Sequence, residues 1–231
     1  MVKEVFYKGC KREVRAFLCF PQEKTSLPGI AVFHGAEGLK DHHVDFGKEL
    51  AERGYIVLVL EWFDKKEERF LFEEEDILGG IRYLKSSNFV KEESLAVVGF
   101  SLGAAVSLVV LSKWGQKIKA LVLYYPPGWE RIRNFFKEKF KIEEDLLKEA
   151  PENILILQGE KDRLVPPEEV KNLYERIKKY GKNCKLELYP DADHAFNFAD
   201  RKEYNKEAAE KAFSEVLGFL DRCLKNKISC L

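Results

Sequence analysis

The chain has 231 residues, 45% hydrophobic and 13% aromatic, which suffices for one sizeable core and excludes a disordered chain. Lysine plus arginine and aspartate plus glutamate number 39 each, so no net field gathers nucleic acid or an anionic membrane surface. No apolar run approaches the ~18 residues of a membrane span, and the expectation is a soluble single domain over residues 1–231 acting on a small molecule.

From the N-terminus, residues 4–7 and 12–20 alternate polar and apolar around Gly9, which predicts an antiparallel hairpin at a sheet edge. The first residues lack the continuous apolar segment of a secretory leader. Cys10, Cys19, Cys184, Cys223 and Cys230 form no Cys-x-x-Cys pair and leave one over in any full pairing, so free thiols and a cytoplasmic location are expected. Apolar runs at 29–33, 55–60, 95–99, 120–125 and 154–158 are too apolar for burial on one face only. They alternate with helical patterns at 44–53, 73–85, 102–113, 167–180 and 204–224, and a last strand is predicted at 185–189. The predicted class is α/β, a mostly parallel sheet with helices on both faces.

Two segments stand outside this alternation. Residues 126–151 carry Trp129, Ile132, Phe135, Phe136, Phe140, Leu146 and Leu147 among many charges, which predicts one or two amphipathic helices. They would cover the site as a partial lid with Trp129, Phe135 and Phe136 facing inward, or pack on the sheet or another subunit. Lys65, Lys66, Glu67, Glu68 and Arg69 read as a solvated loop.

The chemistry starts at Gly99-Phe100-Ser101-Leu102-Gly103, which joins the apolar run Leu95-Ala96-Val97-Val98 to a small-residue helix. In that context Gly-x-Ser-x-Gly is a nucleophile elbow, whose sharp turn lifts the serine hydroxyl above the sheet. A serine at its free pKa is a poor nucleophile and needs a base, and the base needs a group that fixes its tautomer. His194 in Asp191-Ala192-Asp193-His194-Ala195-Phe196 follows the last strand, and Asp162 in Gly159-Glu160-Lys161-Asp162 follows the one before it. Both fall at carboxyl ends of strands, in the Ser, Asp, His order of the α/β-hydrolase fold. Asp191 and Asp193 compete with Asp162, but residues so near His194 would need a strained turn to reach its ring. The oxyanion of acyl transfer needs amide donors, assigned to Leu102 just after the nucleophile and to Ala36 in Val32-Phe33-His34-Gly35-Ala36-Glu37-Gly38. Glu37 is placed beside the site, and Tyr125 and Trp129 as residues that line the substrate pocket. Adjacent His42 and His43 suggest a metal site, but neighbouring side chains at a helix start diverge and no further ligand spacing completes a set. They read as a solvated helix start, with no metal expected.

Taken together, Phe33-His34-Gly35-Ala36-Glu37-Gly38, Gly99-Phe100-Ser101-Leu102-Gly103, Gly159-Glu160-Lys161-Asp162 and Asp193-His194-Ala195-Phe196 resemble the dienelactone hydrolase family over nearly the whole chain. The resemblance implies a single-domain α/β-hydrolase fold without metal or organic cofactor. It makes Ser101 the nucleophile, His194 the base, Asp162 its acid partner, and the Ala36 and Leu102 amides the oxyanion donors. Dienelactone hydrolases proper use a cysteine governed by a glutamate of the early loop; here position 101 is serine and Gly35 stands where that glutamate would be. The chain is therefore nearer to esterase-like members. The expected activity is hydrolysis of small carboxylic esters or lactones through an acyl-serine, by a monomer or homodimer. A peptidase or thioesterase using the same triad, or a non-catalytic hydrolase-like binding protein, is the alternative.

Overall fold

The computed structural model describes residues 1–22, 26–63, 72–114, 117–140, 142–143 and 145–225. Strands β1 (Val2–Lys8), β2 (Glu13–Cys19), β3 (Leu27–Phe33), β4 (Ile56–Leu60), β5 (Val90–Phe100), β6 (Ala120–Tyr124), β7 (Asn153–Gly159) and β8 (Asn183–Tyr189) form one sheet in the order β1-β2-β4-β3-β5-β6-β7-β8. The β1–β2 and β2–β4 pairings are antiparallel and the remaining ones parallel, which places the predicted hairpin at one edge. The helices are α1 (Asp41–Glu52), α2 (Glu74–Lys85), α3 (Leu102–Trp114), α4 (Trp129–Phe136), α5 (Pro167–Lys179) and α6 (Lys206–Leu224).

Strand side chains alternate faces, so an entirely apolar strand must feed two cores. In β3, Ile30 and Val32 enter a core with Phe46 and Leu50 of α1 and Val216 and Leu220 of α6. Ala31 and Phe33 enter the opposite core with Ile77 of α2, Val106 of α3 and Leu173 of α5. The same alternation runs through β4, β5, β6 and β7. β5 begins five residues before its predicted start, because Lys91, Glu92 and Glu93 extend the strand while exposed.

The segment between β6 and β7 holds α4 and a short 3-10 turn (Leu146–Glu149); α4 packs on α5, and the turn on α3 and α5. Trp129, Phe136 and Phe140 are buried, but Phe135 is 46% exposed, which corrects its inward assignment. Successive helical residues point about 100° apart, and the buried stripe of α4 runs through Trp129, Ile132 and Phe136, which turns Phe135 off it. The 65–69 charge run and Cys230 lie outside the described residues. Cys10, Cys19, Cys184 and Cys223 carry thiols and not disulfides. Among the described residues no helix is long and apolar enough to cross a membrane.

Candidate active site

The carboxyl ends of β3, β5, β7 and β8 meet at one rim, where open α/β sheets collect ligands. Ser101 stands between β5 and α3 with φ 51°, in the left-handed region that a side chain enters only when its surroundings impose it. The surroundings do so from both sides. The Ser101 amide donates to Tyr124 O of β6 at 2.9 Å, and its carbonyl accepts the Ala105 amide of α3 at 3.1 Å. The flanking glycines are required by contact: a Cβ at Gly99 would lie 2.6 Å from the Ala104 Cα, and one at Gly103 would lie 2.4 Å from the carbonyl oxygens of Phe33 and His34.

His194 Nε2 lies 3.1 Å from Ser101 Oγ, and its Nδ1 lies 2.8 Å from Asp162 Oδ2. A carboxylate only accepts, so Nδ1 carries the proton donated to Asp162 and Nε2 presents its lone pair to the serine hydroxyl. The Asp162 side chain is fully buried and hydrogen-bonded throughout: Oδ1 accepts the amides of Leu164 (2.9 Å) and Val165 (2.7 Å), and Oδ2 accepts Gln158 Nε2 (3.0 Å) as well as the imidazole. Its rival Asp193 faces elsewhere, accepting Arg163 Nε at 2.6 Å and its own neighbour's amide, His194 N, at 2.8 Å. Close packing fixes the two loops together: a Cβ on Gly159 would meet Ala192 O, and the Lys161 amide donates to that same oxygen at 2.9 Å.

On the other side of Ser101, the loop after β3 turns through a Gly38 amide to Gly35 O bond (3.2 Å). Gly35 is the point of approach, since a Cβ there would be 3.5 Å from Ser101 Cβ. Ala36 follows it, exposed. Leu102 opens the 13-residue α3, so its amide has no carbonyl within the helix to bond and sits at the positive end of the helix dipole.

A family description of the dienelactone hydrolase family matches residues 14–224. The chain belongs to the dienelactone hydrolase family. Among relatives, it is 24% identical to a Bradyrhizobium protein named "Probable 2-oxo-3-(5-oxofuran-2-ylidene)propanoate lactonase", with 89% of this chain and 88% of the relative covered. It is 26% identical to a Saccharolobus solfataricus protein provisionally named a carboxymethylenebutenolidase, covering 97% of this chain and all of the relative (100%). Among solved structures, a dienelactone hydrolase-like promiscuous phosphotriesterase from metagenomic libraries superposes with TM-score 0.79 at 16% identity, over 96% of this chain and 98% of the other. A Rhizomucor miehei esterase superposes with TM-score 0.81 at 18% identity, over 97% and 84%. These likenesses establish the α/β-hydrolase fold, and membership makes the chain a hydrolase.

In this member of the dienelactone hydrolase family the early loop carries a charge network that its sequence does not announce. His42 and His43 are not solvated: their rings lie 4.2 Å apart, the His43 side chain is fully buried and that of His42 nearly so. Glu37 Oε1 is 3.3 Å from His42 Nε2 and 3.5 Å from His43 Nε2, so a carboxylate does join the pair. The grouping has the composition of a metal site. Its protonation argues against that use. The Lys40 amide donates to His43 Nδ1 at 3.1 Å, which leaves the proton on Nε2, the atom that would have to ligate. His42 faces carboxylates through both nitrogens, Glu37 at one and Asp200 at 2.8 Å at the other, which favours imidazolium. Burial pushes its pKa down, but the bonds to Glu37 and Asp200 outweigh burial and raise it. Burial likewise pushes Glu37 up, but the His42 bond and the Arg201 guanidinium at 3.4 Å hold its carboxyl below the usual range. His43 and His34 are pushed down by burial, His34 to about 4.

Tyr125 leaves β6 with φ 39°, sets its ring 4.6 Å from that of His194 with the planes tilted by 57°, and donates its hydroxyl to Asn197 Oδ1 at 2.9 Å. Burial raises its phenol well above the ordinary range, so it stays a neutral donor. Trp129 is buried and lines the groove between α4 and α5. Sequence reasoning missed Gln158, Asn197, Asp200 and Arg201. Gln158 alone had a local signal, a lone amide at the end of an otherwise apolar strand.

Proposed function

We propose that this chain hydrolyses small carboxylic esters or lactones through an acyl-Ser101 intermediate. His194 Nε2 accepts the serine proton as Oγ attacks the carbonyl carbon, and then delivers it to the departing alkoxide. In deacylation it takes a proton from water, whose oxygen attacks the acyl carbon, and returns that proton to Ser101 Oγ as the acid departs. Asp162 keeps the imidazole in the productive tautomer and stabilises its cationic form. The Leu102 and Ala36 amides face the oxygen on which charge develops, where preorganised donors act most strongly. Atoms and protons balance among Ser101, His194, substrate and water, so the steps call for no cofactor. Tyr125 acts as a positioning residue behind His194.

The observation that carries this reading is the unbroken hydrogen-bonded run from Asp162 through His194 to Ser101 Oγ at a helix N-terminus. The lactonase and carboxymethylenebutenolidase names of the relatives favour ester and lactone bonds over amides as substrates. Steady-state hydrolysis of p-nitrophenyl acetate and of a small lactone tests it. Ser101→Ala is expected to lower kcat for both by roughly 10³-fold or more, whereas turnover near the unsubstituted rate would exclude Ser101 as the nucleophile.

A further inference from the structure

A second cleft, of about 650 Å³, opens between α1, α6 and the 197–200 segment. Neither Ser101, Asp162 nor His194 lines it. Its walls are aromatic: Phe46 meets Phe213 edge to face at 5.7 Å and Tyr124 at 6.0 Å, with Phe198 and Tyr204 alongside. Its charged lining is acidic, from Asp41, Asp45, Glu49, Asp200 and Glu210, with His42 as the single cationic group and no lysine or arginine among the described lining residues. Lys48 bonds Asp45, His42 bonds Asp200 and Lys206 lies 3.9 Å from Glu210, whereas Asp41 and Glu49 make no ion pair within 4 Å among the described residues, Arg53 acting on Glu49 only from one helical turn on. Tyr124 also lines the cleft; it is 1% exposed, and its hydroxyl has no hydrogen-bond partner among the described residues.

Carboxylates in excess of their cationic partners around aromatic faces repel anions and attract organic cations, and the volume suits a small molecule. We propose that this cleft is a binding site for a primary aryl- or alkylammonium ion. The Glu49 carboxylate neutralises the ammonium, Phe46 and Phe213 pack its hydrocarbon and face its charge, and the Tyr124 hydroxyl accepts one N–H. The site is separate from the reacting centre, with Phe100 between them: its ring contacts Phe46, Tyr124 and Phe198 at 5.1, 4.9 and 4.9 Å.

Calorimetric titration of the full chain with benzylammonium at pH 7, against benzyl alcohol as the uncharged counterpart, tests the assignment. Benzylammonium is expected to saturate with a Kd on the order of 1 mM, at least about tenfold tighter than the alcohol, and to weaken with added salt. Glu49→Gln and Phe213→Leu should each weaken it roughly fivefold or more while leaving ester hydrolysis intact. Tyr124→Phe should weaken benzylammonium but not benzyltrimethylammonium, which has no N–H to give. Equal affinity for the alcohol, no saturable binding, or wild-type affinity in the Glu49→Gln and Phe213→Leu variants would overturn the proposal.

Discussion

Ser101, Asp162 and Asp193 show how much a single side chain's partners decide. A serine at φ 51° occupies a conformation that costs on the order of 1–3 kcal/mol, sustained here by backbone bonds to β6 and α3. The two aspartates flank the same loop junction but differ in what they hold: Asp162 holds the imidazole, and Asp193 holds Arg163 and the His194 amide. Asp162→Asn presents an amide that can donate to Nδ1 and thereby favour the wrong tautomer, so kcat is expected to fall by roughly 10³–10⁴-fold. Asp193→Asn breaks an ion pair whose arginine is largely exposed, and should cost about 1 kcal/mol of stability with less than about a tenfold change in kcat. Parallel kcat measurements on the two variants decide the matter, and equal losses would contradict the assignment of Asp162 as the acid partner.

Among the elements, α3 and the strands it crosses set the site's dimensions. Gly103 is where the helix passes the end of β3, and an added methyl would meet the backbone oxygens of Phe33 and His34. Backbone cannot rotate away as a side chain can. Gly103→Ala is therefore expected to cost about 2–3 kcal/mol, read from a urea midpoint, and to move the 35–38 turn relative to Ser101. A variant as stable and active as the parent would show that the approach is looser than described. The elbow was legible in sequence because its signals are local: an apolar run, two glycines around a serine, and small residues beyond. That His194 bonds Asp162 and not Asp193 was legible too, since strand ends place side chains across a gap that a short loop cannot span. The histidine pair was misread for a reason of the opposite kind. Lys40 N bonds back to His43 Nδ1 within one turn, while the partners that bury His42 lie at Asp200 and in Phe198, more than 150 residues on, and no local pattern foretells them. Phe135 fails on simple geometry, since the buried stripe of α4 runs through Trp129, Ile132 and Phe136 and a residue 100° away from Phe136 falls off it.

At the scale of the whole molecule, the histidines beneath the early loop tie stability to pH. His34 is fully buried, and burial pushes its pKa down to about 4, which keeps the ring neutral at pH 7. The unfolded chain therefore binds a proton that the folded chain refuses, and the stability from keeping His34 neutral is lost as pH falls from about 6.5 towards 4, by about 3 kcal/mol. His43 acts in the same direction, and Glu37 adds a further loss as pH falls through its lowered pKa. His42 has the opposite sign: its contribution is complete below the unfolded value and disappears as pH rises through its raised pKa. His34→Phe keeps a ring against Trp62 but cannot titrate, so its urea midpoint should fall less than the parent's between pH 7 and pH 4.5. Parallel curves would place the acid sensitivity elsewhere.

The sheet, the elbow and the two loops converge on Ser101 Oγ, the atom proposed to react, and covalent labelling tests it directly. A fluorophosphonate should modify the native protein stoichiometrically, with the adduct mapped by mass spectrometry to the peptide carrying Ser101, and Ser101→Ala should remain unlabelled. Labelling that persists in Ser101→Ala, or a native protein that stays unmodified while hydrolysing esters, would contradict the account.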